Sequence, residues 1–279
     1  MIGGLCLTIA FVWSWAIGAA AWRADAFAEP TTQFLYSFAY MWGPALGAVV
    51  AVQFLPRGTR IEALGLRWRW NLWLVAAWAI PILLVAGALA LSTLAPGAAA
   101  QWPSEGARKI LAEQGGHTDL SDMTLTLIVL AQATLMGALI NTPLLISEEL
   151  GWRGLLWSQW QARLGFWGNA LLTGFVWGVW HAPLIALGHN WPGMPIEGPF
   201  LMLAFCMLLT PALHWVRECG GSVWHACLFH GTLNAAATIG PLVIIAPNWM
   251  SNGIVGLGGF AMLAISALLV SALRRPPAA

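Results

Sequence analysis

Long apolar runs alternate with short polar segments along this chain, and the runs have the length of membrane spans. A spanning helix needs about 20 apolar residues. Residues 5–22, 34–55, 72–95, 124–146, 166–187, 200–216, 222–245 and 253–273 meet or approach that length. The pattern predicts an all-α fold, a polytopic transmembrane helical bundle of about eight spans. Pro81 in the third run and Pro143 in the fourth predict kinks, since proline removes a helical hydrogen bond. Residues 56–71 read as a basic interfacial loop, and residues 96–123 as the longest polar loop. Ala19, Ala20 and Ala21 resemble a signal-peptide cleavage site, but no Lys or Arg precedes the first run, so a retained helix is expected. No internal repeat interrupts the pattern, and residues 1–279 read as a single transmembrane domain.

Composition supports this reading. Only 8% of the residues are charged and 59% are hydrophobic, with a mean hydropathy of +0.74 and 19 Trp. Soluble domains carry about 25% charged residues. The net charge of +1 excludes a nucleic-acid partner. Cys6, Cys206, Cys219 and Cys227 show no Cys-x-x-Cys spacing, so neither a disulfide framework nor a zinc knuckle is expected. With eight spans and both termini inside, the inner segments hold Arg57, Arg60, Arg67, Arg69, Arg153, Arg163, Arg217, Arg274 and Arg275. The outer segments hold only Arg23, Arg108 and Lys109. That asymmetry predicts cytoplasmic N and C termini.

Against this background, Ser147-Glu-Glu-Leu-Gly-Trp-Arg-Gly154 stands out. A charged residue at the centre of a membrane helix costs roughly 2.5–3.5 kcal/mol on insertion scales. Such groups persist where they pair, face a wet cavity or do chemistry. Glu149 and Arg153 are four apart and share a helical face. Glu148 is rotated about 100° from Glu149 and has no obvious partner, which makes it the first candidate for a catalytic group.

Two other spans carry polar residues of interest. His181 ends Phe175-Val-Trp-Gly-Val-Trp-His181. Taken alone, a core histidine bonded to a neighbouring helix explains it. Gly174 and Gly178 beside it form a small-residue stripe for close helix packing. His230 and Asn234 are four apart on one face and offer two donors to a developing oxyanion. Their bland reading is interhelical hydrogen bonding. His225 faces elsewhere, His117 and His189 fall in outer loops, and His214 is ambiguous.

Together these residues resemble the CPBP family, the CAAX protease and bacteriocin-processing family of intramembrane proteases, which includes the type II CAAX prenyl endopeptidases. Glu148, Glu149 and Arg153 match the first motif. His181 matches the second, where the family reads Phe-x-x-x-His and this chain has Trp177 in place of Phe. His230 and Asn234 match the third, and Leu64-Gly65-Leu66-Arg67 also looks like the family's. The motif core covers about residues 140–235. The resemblance implies a glutamic-type intramembrane endopeptidase. The counterparts of Glu148 and His181 activate a water, those of His230 and Asn234 hold the oxyanion, and Glu149 is held by Arg153. It also implies a peptide or protein substrate entering from the membrane or the cytoplasmic side, in the lipid bilayer of a bacterial cytoplasmic membrane. The alternative is a zinc-dependent protease with Glu148, His181 and His230 as ligands. No His-Glu-x-x-His is present and Asn234 is a poor zinc ligand, so no metal or other cofactor is expected.

Two tensions remain at this level. Glu148 falls at the end of the fourth run, whereas His181 lies about 22 Å into the fifth at 1.5 Å per residue. Level placement requires either a fourth helix that starts deeper and continues past Arg153 or a fifth that starts below the membrane; the former is expected, with the glutamates in a water-filled cavity facing the cytoplasm. The competing function class is non-catalytic. A scaffold or immunity protein would use the same cluster for packing, and a proton-coupled transporter would use Glu148 and His181 as a relay.

Overall fold

The computed structural model describes residues 1–245 and 248–274, so Arg275 of the expected inner charges lies outside them. Among the described residues, six helices are long and apolar enough to cross a membrane: Ile2–Arg23, Pro30–Phe54, Trp73–Ser92, Asp122–Ala186, Glu197–Gly220 and Val223–Val243. The eight expected runs map onto these with two differences. The fourth and fifth merge into the 65-residue Asp122–Ala186 run, and the eighth is the shorter helix Leu257–Leu273. The 96–123 segment, expected as loop, holds the helix Pro103–Glu113. Pro103 opens that helix at a position where its missing N–H costs nothing, and Glu105 reaches back to the Trp102 N–H.

The chain forms two compact units. The first comprises Met1–Asn71, Leu145–Ala226 and, among the described residues at the chain end, Leu273 and Arg274. Within it, Trp157–Ala186 is two helical segments meeting at Gly165, whose φ of 63° is open to glycine at little cost. This turn resolves the depth mismatch. The chain runs on about 24 Å from Glu148 to Leu164, then returns about 18 Å from Gly165 to Trp177. The returning segment packs on Glu197–Gly220 through the predicted stripe. A Cβ on Gly174 would lie 2.8 Å from Met207 Cα, and one on Gly178 would lie 2.6 Å from Leu203 Cα. Lipid tails are as apolar as leucine, so such close backbone contact and dispersion hold membrane helices together.

The second unit comprises Leu72–Leu144 and Cys227–Ala272. Its Asp122–Leu144 stretch is interrupted by a π-helical turn at Gln132–Met136. An inserted residue of this kind disturbs the regular ladder, and Trp78 Nε1 donates to the Thr134 carbonyl there (2.7 Å). Trp73–Ser92 and Leu257–Leu273 pack closely, with a Gly258 Cβ position 2.6 Å from the Ala88 carbonyl oxygen. A two-residue antiparallel pairing joins Ala99–Ala100 to Ile244–Ile245.

Candidate active site

The Glu-Glu-Arg segment is helical throughout. Ile146–Glu149 is α-helical and Leu150–Leu156 is a π turn, an irregularity frequent at functional sites. Glu149 and Arg153 are fully buried, and Arg153 Nη1 lies 3.0 Å from Glu149 Oε1. A buried charge needs more than one partner to offset its desolvation, and Arg153 has several. Its Nη2 donates to Thr210 Oγ1 (3.1 Å), which itself donates to the Cys206 carbonyl (2.6 Å). Its guanidinium carbon lies 4.3 Å from the centre of the Trp177 ring. Arg217 Nε donates to the Arg153 carbonyl (2.9 Å). Arg153 and Arg217, counted above as inner-loop charges, are therefore buried helical residues. They stiffen the motif as well as contributing charge.

Glu148 and His181 are brought together through Trp177. The indole Nε1 donates to Glu148 Oε2 at 2.9 Å, and His181 Nδ1 lies 2.8 Å from the Trp177 carbonyl. A carbonyl only accepts, so Nδ1 carries the proton, and in a neutral ring the lone pair is then on Nε2. Two rings pack against this imidazole, Trp180 edge-on at 4.7 Å and Trp177 tilted at 5.5 Å between centroids. Trp180 is in turn fixed by Tyr40, whose hydroxyl donates to its carbonyl, and by an edge contact with Trp152 at 5.7 Å. A carboxylate and an imidazole on two helical segments are thus locked in rotamer and tautomer by one tryptophan. Glu148 and His181 are both buried, which raises the worth of every hydrogen bond they make.

His230 and Asn234 belong to the second unit. They lie one turn apart on Val223–Ala237, His230 buried and Asn234 exposed. Between them Gly231 lets the Asn141–Thr142 backbone approach, since a Cβ there would sit 2.9 Å from Thr142 N. Asn141 Nδ2 donates to the Gly231 carbonyl (3.2 Å).

The other histidines fall into place. His225 Nε2 faces Asn71 Oδ1 at 3.2 Å. His117 is exposed beside Asp119. His214 is fully buried against Trp157 at 4.7 Å. His189 stands edge-on to Phe27, and burial holds its pKa below the usual imidazole value. None of the four cysteines forms a disulfide.

Sequence reasoning missed the indole N–H of Trp177, the clasp of Thr210 and the backbone brace of Arg217. The first was readable, because a tryptophan replacing phenylalanine adds one donor. The others follow from three-dimensional packing. Among the described residues, no group of three or more His, Cys, Asp or Glu that could hold a metal ion is present.

No curated protein matches the chain. Residues 124–236 match the family model described as Type II CAAX prenyl endopeptidase Rce1-like. That segment contains Glu148, Glu149, Arg153, His181, His230 and Asn234. Over residues 124–236 the chain is therefore similar to the type II CAAX prenyl endopeptidases, and its long apolar helices make it a multi-pass membrane protein.

Proposed function

We propose that this chain is an intramembrane endopeptidase that hydrolyses a peptide bond with a water activated by Glu148 and His181. The observation that carries the proposal is the double use of Trp177, which holds the Glu148 carboxylate through its indole and His181 through its carbonyl. A carboxylate with a positioned imidazole is a competent general-base pair, and such catalysis typically contributes about 10²–10⁴-fold. Glu148 takes a proton as the water oxygen bonds to the peptide carbonyl carbon. The C–N bond then breaks and the same proton passes to the leaving amine, which yields a free carboxyl and a free amino terminus. His181 orients the water through Nε2. Glu149 and Arg153 hold the helical turn that presents Glu148. His230 and Asn234 are the proposed oxyanion donors; this role rests on the resemblance and on their shared helical face. No cofactor enters the mechanism.

The substrate is a peptide or protein segment reached from the membrane or the cytoplasmic side, and the proposed location is a bacterial cytoplasmic membrane with both termini inside. Comparative peptidomics of membranes carrying the wild-type protein and Glu148→Gln tests the proposal. Fragments present with the wild type and absent with the variant support hydrolysis. Identical peptide sets, with both proteins folded and equally abundant, leave the scaffold reading.

A further inference from the structure

The connection between the second and third candidate spans is built as a rigid surface. Residues 55–72 lie between Pro30–Phe54 and Trp73–Ser92, so two membrane helices hold the loop at the boundary of lipid and water. Its C-terminal part is stitched to residues 220–225 within the first unit. Gly65 accepts from Val223 N (2.9 Å) and from Ser222 Oγ (3.1 Å). Leu66 accepts from Trp224 Nε1 (3.2 Å). Asn71 donates to the Gly220 carbonyl (3.0 Å) and faces His225. Gly65 has a φ of 65° and lies against the Arg217 guanidinium, so no other residue fits without strain.

What this loop presents is basic and aromatic. Arg57, Arg67 and Arg69 are exposed, with Glu62 the acid among them, and Arg60 is turned back onto Gln53 and Leu55. The Arg69 stem rests on Gly221, where a Cβ would meet its Cδ at 2.9 Å. Trp68 stands 5.3 Å from Trp70 and 5.8 Å from Trp224 between ring centroids. Trp70 is 82% exposed. A rigidly held, bare indole is unfavourable in water and favourable at headgroup depth, where its apolar body and polar N–H are both satisfied. Guanidinium groups grip phosphate oxygens in pairs. Every base in the loop is arginine.

We propose that the 57–70 loop, with Trp224, is a docking platform for anionic phospholipid headgroups. The arginines take the phosphates and the tryptophans sit among the glycerol and upper acyl carbons. The platform does not depend on the protease reading, and its test does not use activity.

Purified full-length protein in neutral detergent is titrated with phosphatidylglycerol and, separately, with phosphatidylcholine, and bound lipids are counted by native mass spectrometry. The wild type binds phosphatidylglycerol more tightly. Near a membrane surface each arginine is worth about fivefold, so Arg67→Gln/Arg69→Gln weakens binding about 25-fold and Arg67→Lys/Arg69→Lys much less. Arg69 packs on Gly221, so Arg57→Gln/Arg67→Gln serves as a second double variant that leaves the stitches intact. Arg23→Gln, outside the loop, leaves lipid binding unchanged. Equal affinity for the two lipids, or wild-type affinity in both glutamine double variants, overturns the proposal. With poly-glutamate titrated as a third probe, its loss from the glutamine double variants with phosphatidylglycerol binding intact also overturns the proposal and assigns the surface to acidic peptides.

Discussion

Trp177→Phe isolates one atom group in the candidate site. Phenylalanine keeps an aromatic ring beside Arg153 and His181, and it matches the residue that the resembling family carries. The His181 anchor is the backbone carbonyl of residue 177, so it survives the substitution. Only the indole N–H to Glu148 Oε2 is lost, a buried bond of 2.9 Å. A hydrogen bond to a charged group contributes about 1.5–3 kcal/mol. With about 1.4 kcal/mol per tenfold in rate, turnover should fall between about tenfold and a hundredfold. The cation–π contact weakens by a fraction of its roughly 0.5–2 kcal/mol, so the melting temperature in detergent should shift only slightly. The assay is cleavage of a reporter peptide taken from the peptidomic comparison, with kcat and KM resolved. The expected result is a lower kcat at nearly constant KM in a folded protein. Wild-type turnover in folded Trp177→Phe refutes the idea that this indole holds the general base.

Three further outcomes follow from the same geometry. Glu149→Gln leaves the fully buried Arg153 charge without its ion-pair partner, a loss of about 3–5 kcal/mol; thermal unfolding should show a large drop, and one shared by Arg153→Met should be less than additive in the double variant. Asn234→Ala should lower kcat by about 10²–10³-fold with binding largely kept, read in the same peptide assay; an unchanged kcat removes Asn234 from the mechanism. His189 has a pKa below the ordinary 6.5, so the unfolded chain binds its proton first as pH falls. Stability is lost as pH drops below that value, and His189→Gln should show a smaller loss of melting temperature over the same range.

The apolar runs made the helical fold legible, because hydrocarbon admits few other structures. The Gly174–Gly178 stripe was legible too, since small residues four apart have one common use in a membrane. The polar residues of the candidate site could be named from spacing and resemblance, but their supports could not. Nothing in the local pattern of 150–156 distinguishes a π turn from an α turn, and the irregularity is set by packing around it. Gly165 looks like any of the chain's 30 glycines, although its left-handed φ is what sets Trp177 level with Glu148. Arg217 read as a charge at a span end, whereas its Nε reaches a backbone carbonyl 64 residues away. The Pro103–Glu113 helix was within reach, because Pro at the first helical position followed by Glu105 is a start signal. The polar composition of the segment masked it.

The central claim is that Glu148 itself is the base that activates the water. The held tautomer of His181 does not decide this, since a metal-bound histidine also donates its second N–H to a carbonyl. The most direct measurement is peptide cleavage by purified, chelator-treated wild-type protein and by Glu148→Gln, with bound metal counted by elemental analysis. The account predicts that the treated wild type still cleaves with metal well below one ion per chain, and that folded Glu148→Gln does not cleave. Activity lost on chelation and restored by zinc at one ion per chain contradicts it, as does cleavage by Glu148→Gln.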